Sequence, residues 1–400
     1  MLSISQARKI ILNNTGKTPV VMTDLMAAVG ACLAKDIYSP LPIPLFDNSA
    51  MDGYAVRAAD LKGASQKNPI RLKIIEEIPA GHIPRKRVKR GEASLIMTGA
   101  MFPAGADTVV VVEATKREGK LVQIFIEVGK GENIRKKGEV IRRGQLLLKA
   151  GALIRPAEVA LLATVNKTKV SVHRRPRVAI LSTGSEVVPL GRRLGPGQIV
   201  DSNRYGVMMQ LKACGADVID LGIVRDEREA IKRKLLKGLR RADVIITIGG
   251  VSVGQWDFVK EVVAGLGRLI FWKVKMKPGG PLTFGKIKNK LYFGLPGNPV
   301  STLVVFEQMV RPALLKMGGR RDYLKPVLAA VLEKDYRGQA GKVRLERIFL
   351  RYKNDKFFAR PVRSLGSGDL RSLAAANGLM IVPANISHLH KGQRISAQWL

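Results

Sequence analysis

Apolar positions change their spacing along the chain, and each change predicts a different element. Over residues 3–13 they recur at helical intervals, broken by Arg8 and Lys9, which predicts a short amphipathic helix. A second helix is expected over 25–36, closing before Tyr38-Ser39-Pro40. Prolines at 40, 42 and 44 mark a loop, and from 70 to 128 the pattern becomes one of strands. Ile70-Arg71-Leu72-Lys73-Ile74 alternates, 108–113 is mostly β-branched, and Gly119-Lys120 separates the next two runs, which predicts a β-rich module.

Pro156 opens another helix near its first turn, and 166–177 reads as a linker. Beyond it, short apolar runs at 178–182, 217–224, 244–248, 269–276 and 291–295 read as strands. Helical stretches separate them. One starts at Asp201-Ser202-Asn203, carries Val207, Met208 and Leu211, and stops at Gly215; another has the stripe Ile231, Leu235, Leu236 and Leu239. A third covers 257–265, and Asn298-Pro299 caps a long helix ending at Gly318-Gly319. Strands that are apolar throughout, alternating with helices, predict a doubly wound parallel sheet covered on both faces. Its ligand crevice belongs beyond the carboxyl ends of the strands. Runs at 327–332, 346–352, 357–361, 379–382 and 394–399 predict a separate small β-domain.

Composition adjusts this picture. Four hundred residues require several domains, and 46% hydrophobic with 25% charged residues suits globular folding rather than disorder. Cys32 and Cys214 stand alone, which excludes a disulfide framework or cysteine-based zinc site and suits a cytoplasmic protein. His82, His173, His388 and His390 show no HExxH or similar spacing. No run approaches the roughly 18 apolar residues needed to span a bilayer, and the interrupted N-terminal helix is not a signal peptide. The net charge is +36, from 68 Lys and Arg against 32 Asp and Glu. Such an excess attracts anions. The basic residues are nevertheless spread along the chain, in clusters no larger than Arg85-Lys86-Arg87 or Arg135-Lys136-Lys137, without a nucleic-acid-binding signature. Anionic small molecules on a solvated basic surface are expected, with no specific nucleic acid and no membrane.

The polar, glycine-rich segments of the α/β region fall just after strands. They are Thr183-Gly184-Ser185-Glu186, Gly249-Gly250-Val251-Ser252-Val253-Gly254 leading to Asp257, Lys277-Pro278-Gly279-Gly280-Pro281, and Pro296-Gly297-Asn298-Pro299 at a helix start. Glycines let backbone N–H groups approach an anion, and a helix N-terminus adds free donors and partial positive charge. Lys273 and Lys277, four apart, would share one face of a strand end and hold a multiply charged oxyanion. Glu186, Asp226 and Asp257 fall at the same edge; carboxylates beside a phosphate site predict a hard divalent cation, Mg²⁺ by default. Each feature alone has an ordinary explanation: glycines for turns, Asp226 or Asp257 as a helix cap, Lys273 as a solvated charge. Their convergence at one sheet edge does not. There is no GxSxG elbow, no P-loop and no GxGxxG opening a helix, so anion binding and metal-assisted transfer without a covalent nucleophile are expected.

At these loops the sequence resembles the MoeA family of molybdopterin molybdenumtransferases, related to the E domain of gephyrin. The matching pieces run in the family's order over nearly the whole chain. They are Phe46-Asp47-Asn48-Ser49-Ala50-Met51-Asp52-Gly53-Tyr54-Ala55, Met97-Thr98-Gly99-Ala100, Asn133-Ile134-Arg135 and Ser182-Thr183-Gly184-Ser185-Glu186, then Asp201-Ser202-Asn203, Thr247 through Gly254, Lys277-Pro278-Gly279 and Leu295-Pro296-Gly297-Asn298-Pro299. The first is the most specific. The resemblance implies a multi-domain α/β chain: a discontinuous helical domain (1–42 and 143–174), a β-rich domain (43–142), a molybdopterin-binding α/β domain (175–321) and a C-terminal β-barrel (322–400). It implies a homodimer, and a reaction that joins molybdate to adenylylated molybdopterin with divalent-cation-assisted release of AMP. An adenylyltransferase is the implied partner upstream.

Carried onto this chain, the resemblance places Asp52 and Thr98 at the site from the partner subunit. It makes Glu186, Asp226 and Asp257 the carboxylates near metal and substrate, and Lys273 and Lys277 the oxyanion cations. The lining would comprise Thr183, Asp201, Ser202, Gly249, Gly250, Ser252, Pro278, Gly279, Pro296, Gly297, Asn298 and Ser301, with Arg347 and Ser367 reaching in from the tail. Two departures stand out. Val140 follows Gly138-Glu139 where the family typically has aspartate, and Gly280 stands where it often has lysine. An active enzyme is expected; the alternatives are a non-catalytic pterin-binding scaffold and a tungstate-specific paralogue.

Overall fold

In the computed structural model, residues 1–250 and 258–400 are described; Ser252 and Asp257 lie outside them. The chain forms two compact units, Met1–Lys35 with Gly151–Pro156 and Lys169–Leu400, and Asp36–Ala150 with Ala157–Thr168.

Helix α1 (Ile4–Asn13) starts where Ser3 and Gln6 cap each other reciprocally, each side chain accepting from the other's backbone N–H, and it buries Ala7 and Ile11. The helix expected over 25–36 does not form. Gly30 sits there at φ +81°, a left-handed conformation that ends helical winding. The segment makes only a 3₁₀ turn, Met26–Ala28, and then bridges from Cys32 to Leu153 and Leu33 to Val172. The region expected to be a linker holds a strand, Lys169–His173, paired antiparallel with Val20–Asp24.

In the second unit six strands form one sheet: β1 (Gly53–Val56), β2 (Ile70–Ile78), β3 (Glu92–Ile96), β4 (Thr108–Val111), β5 (Thr115–Glu118) and β6 (Leu121–Ile124), in the order β4-β1-β3-β2-β6-β5. Alternation gives it two cores, with Tyr54, Val56, Leu72 and Val110 in one and Ala55, Ile96 and Val109 in the other. Helix α2 spans Pro156–Thr164.

The α/β region of the first unit runs β7 (Arg177–Thr183), α3 (Ser202–Ala213), β8 (Asp217–Val224), α4 (Arg228–Leu239), β9 (Val244–Ile248), α5 (Phe258–Leu266), β10 (Gly267–Lys273), β11 (Pro281–Ile287), β12 (Lys290–Leu295), α6 (Pro299–Val305) and α7 (Arg311–Met317). The sheet order is β8-β7-β9-β12-β11-β10. Val178, Ile180, Val244 and Ile246 pack under α3 and α6, while Ala179, Leu181 and Ile245 pack under α4 and α5. Burial on both faces is why these strands are apolar throughout. The doubly wound sheet is present, with an antiparallel strand, β11, that periodicity did not reveal. It joins β12 through Lys288 and Asn289, both at positive φ (46° and 66°), as a two-residue hairpin turn requires. Lys-Asn lacks the glycine that usually announces such a turn. A π-helical segment, Phe306–Val310, carries α6 into α7.

The tail closes on itself. Strands β13 (Leu328–Leu332), β14 (Val343–Lys353), β15 (Lys356–Pro361), β16 (Gly378–Val382) and β17 (Arg394–Trp399) pair around the ring β14-β15-β13-β17-β16-β14 and leave no open edge among themselves. Among the described residues, no helix is long and apolar enough to cross a membrane.

Candidate functional site

A cleft of about 560 Å³ opens at the carboxyl ends of β7, β9 and β12. Thr183, Gly184 and Glu186 line it after β7, Asp226 after β8, Gly249 and Gly250 after β9, and Pro296, Gly297 and Asn298 after β12. Pro281, the first residue of β11, completes that edge, while Val187, Ile199, Val200 and Ser202 form another wall. Glycine is required at two of these positions. A Cβ on Gly249 (φ +84°) would lie 2.7 Å from the Thr183 carbonyl oxygen, and one on Gly250 (φ +60°) 2.5 Å from Val259 Cγ2. The turn after β9 therefore runs as close to its neighbours as a backbone without side chains can.

Among the described residues three carboxylates line the cleft, Glu186, Asp201 and Asp226. Partial burial pushes the Asp226 carboxyl above its usual range, the neighbouring Glu186 charge pushes it further, and the Ser185 N–H partly opposes both. Two like charges facing one pocket are an arrangement that a divalent cation relieves, so this donor set fits a hard metal ion. Asp257, expected as the third carboxylate, lies outside the described residues.

Asp201 lines the cleft with its oxygens already engaged inside the protein. Its Oδ1 accepts from the Ser182 hydroxyl at 3.0 Å and the Arg204 N–H at 3.2 Å, and its Oδ2 accepts from Arg204 Nε at 2.7 Å. The two side chains are 2% and 5% exposed, and Arg204 also pairs with Asp220. Asp201 thus caps α3 and ties it to the end of β7, leaving Ser202 at the cleft wall. Sequence reading missed Arg204 and Asp220, though Arg204 follows the cap at the spacing of one helical turn. Nearby, Asn203 Nδ2 donates to the Gly297 carbonyl at 2.6 Å, and the Thr302 hydroxyl donates to Pro296 and Asn298 carbonyls at 2.5 and 3.0 Å. These bonds fix the loop after β12 at the N-terminus of α6.

Lys273 and Lys277 do not share a strand. β10 ends at Lys273, opposite Pro281; the chain then turns, with the Met276 N–H on the Val274 carbonyl at 2.8 Å, and Met276–Lys277 pairs with β14. Both side chains are exposed and stand outside the cleft lining. Pro278 and Gly279 are buried, and a Cβ on Gly279 (φ +92°) would lie 2.2 Å from Val305 Cγ2 and 3.3 Å from the Ser301 carbonyl. Gly279 and the buried Ser301 therefore set the approach of this segment to α6 instead of lining the cleft. The Ser367 carbonyl accepts from the Val300 N–H at 3.0 Å, capping the first turn of α6. Arg347, 6% exposed on β14, donates to Ser364 and keeps its Nε buried without a hydrogen-bond partner.

In the second unit, Asp52 and Thr98 are paired and exposed. The Asp52 Oδ1 accepts from the Thr98 N–H at 2.6 Å and hydroxyl at 2.7 Å, which holds its carboxyl below the usual range. Val140 is 63% exposed.

Comparison with known proteins matches the chain in three successive segments. Family models described as the MoeA N-terminal region (domain I and II), a probable molybdopterin binding domain and the MoeA C-terminal region (domain IV) match residues 2–166, 179–316 and 329–400. The molybdopterin molybdenumtransferase of a Nostoc species is 38% identical over 99% of this chain and 93% of its own length. That of Haemophilus influenzae is 38% identical over 87% of this chain and 86% of its own. The molybdopterin biosynthesis MoeA protein of Pyrococcus horikoshii OT3, a crystal structure, superimposes with a TM-score of 0.85 at 31% identity, over 100% of both chains. With three family models in order along the chain and relatives alike over nearly its full length, the chain belongs to the MoeA family of molybdopterin molybdenumtransferases.

Proposed function

We propose that this chain inserts molybdenum, supplied as molybdate, into adenylylated molybdopterin and releases AMP, in the cytoplasm and as a homodimer. The observation that carries the reading is the cleft itself. Backbone loops after β7, β9 and β12 and the N-terminus of α6 surround a pair of carboxylates, Glu186 and Asp226. Glycine-rich backbone and the dipole at a helix start suit a phosphate, and paired carboxylates would suit a divalent cation.

Glu186 and Asp226, with Asp257, would hold Mg²⁺. When bound, it neutralises charge on the phosphate oxygens and so favours departure of AMP. The chain's own contributions are positional. Asp201, Asn203 and Thr302 hold the walls; Gly249 and Gly250 admit the substrate backbone-close; Thr183 and Ser202 offer hydroxyls; Pro296, Gly297 and Asn298 present the start of α6. Lys273, at the end of β10, and Lys277, beyond the turn that follows it, would receive molybdate. Asp52, already oriented by Thr98, would complete the site from the second subunit.

The test is AMP release from adenylylated molybdopterin with molybdate and Mg²⁺, comparing the native chain with Glu186→Gln, Asp257→Asn and Asp52→Asn. Molybdate-dependent release that falls steeply in each variant, with folding intact, supports the proposal. Tight binding without release, under tungstate as well as molybdate, refutes it in favour of a pterin-binding scaffold. Release with tungstate alone moves the assignment to a tungstate enzyme.

A further inference from the structure

Two histidines with no recognisable ligand spacing in the sequence, His388 and His390, meet an aspartate in the folded barrel domain. Asp335, His388 and His390 each offer one ligand atom, and these atoms lie within 4.8 Å of one another. The topology explains why. His388 and Leu389 pair antiparallel with Tyr336-Arg337, so Asp335 enters one side of a short ladder and His390 leaves the other. The imidazole rings lie 4.1 Å apart between centroids. Residues two apart on an extended segment point the same way.

The three groups are also held in place. Asp335 Oδ1 accepts from the Lys391 N–H at 2.8 Å, which leaves Oδ2 free to face His388. The His390 N–H donates to Gln393 Oε1 at 2.7 Å, fixing the turn that carries it. His388 Nε2 is enclosed and makes no hydrogen bond; its nearest acidic atom, Asp335 Oδ2, is 3.7 Å away. That gap is too long for a hydrogen bond, and it is close to the roughly 3.4 Å edge of a tetrahedron built on metal bonds of about 2.1 Å. A buried imidazole nitrogen without a partner is costly in a finished fold.

We propose that Asp335, His388 and His390 form a metal site on the C-terminal domain, separate from the cleft carboxylates, that takes a late first-row divalent ion such as zinc. Two imidazoles and one carboxylate are borderline-soft donors that favour such ions over Mg²⁺. Bound metal clips the turn after His390 to the chain that follows β13, and so stabilises the closure of the barrel.

The experiment is equilibrium dialysis of the full chain against micromolar zinc with excess Mg²⁺ present to occupy the cleft. Native protein, a His388→Ala/His390→Ala variant and His390→Gln are compared, with thermal melting in zinc and in chelator. The native chain should hold one zinc per chain and melt higher with it. Loss of a single supporting partner at a metal site weakens binding about 10–100-fold, so removing two ligands should cost more than about 100-fold. The exposed His390→Gln change leaves the fold undisturbed and should still weaken binding. In chelator, the variants should melt with the native chain. Cobalt substituted at the site should give absorption of tetrahedral intensity that the double variant lacks. Unchanged zinc stoichiometry and affinity in both variants, or no zinc bound by the native chain, would overturn the proposal.

Discussion

Replacing Asp201 separates two roles that one carboxylate could have. Its oxygens are both engaged inside the protein, by Ser182, the Arg204 backbone and the Arg204 guanidinium, so its loss is expected to act first through the cleft wall. Asp201→Ala leaves Arg204, 5% exposed at the side chain, with the partly exposed Asp220 as its remaining carboxylate beside the Tyr205 ring and hydroxyl. Breaking a buried ion pair from one side costs about 3–5 kcal/mol, and the lost helix cap, worth about 1 kcal/mol by itself, is part of that figure. For a region of this size each kcal/mol moves the melting midpoint by about 2–4 °C, so the α/β transition should fall by about 6–20 °C. Asp201→Asn keeps an acceptor for Ser182 and the cap, and should lose much less. The double change Asp201→Asn/Arg204→Met should be less damaging than the two single changes combined, because it removes both charges together. Calorimetry gives the midpoints, and fluorescence titration with molybdopterin below the lowest transition gives binding. If Asp201→Asn kept its midpoint and lost binding altogether, the carboxylate would be a ligand contact and the reasoning would be wrong.

Asp226 carries a charge that the fold disfavours. Because its folded pKa is raised by burial and by Glu186, the native chain holds this proton more tightly than the unfolded chain does. The group therefore favours folding below the ordinary carboxyl pKa and loses that contribution as pH rises through the folded value. Asp226→Asn should raise the melting midpoint at pH 7 while reducing AMP release; an unchanged or lower midpoint contradicts the assigned repulsion. Gly279→Ala adds a Cβ 2.2 Å from Val305 Cγ2 at φ +92°. A left-handed residue costs about 1–2 kcal/mol and overpacking about 1–3, so urea denaturation should show a loss of about 2–5 kcal/mol, partly restored by Val305→Ala. Val140→Asp, at a position 63% exposed, should change stability by no more than about 0.5 kcal/mol. Steady-state AMP release should change little; a rise of orders of magnitude would mean that the missing carboxylate limits turnover.

The strands at 217–224, 244–248 and 394–399 lie where the sequence pattern placed them. The run at 244–248 is buried along its whole length, and the alternating exposure of 394–399 follows its alternating residues. Ser3 and Asp201 cap α1 and α3 through bonds to residues three positions away, which is why local spacing reveals them. The region over 25–36 misled because Leu25, Ala28, Cys32 and Leu33 are buried at near-helical spacing, while Gly30 and pairing with distant residues dictate another backbone. Lys273 and Lys277 misled in a similar way: four residues apart, they read as one strand face, yet the turn at Val274 sends them to different sheets.

Sequence by itself determined the alternation of strands and helices, the glycine-rich loops after the strands and the family to which they belong, since each is a short-range property of residue type and order. Tertiary structure decided which of those residues share a space. It brought Glu186 beside Asp226, turned Asp201 inward onto Arg204, buried Gly279 against Val305 and carried His388 to Asp335. These are contacts between positions up to 53 residues apart in the numbering of the chain (335 to 388). Sheet order and loop closure set them, and neither leaves a periodic trace in the sequence.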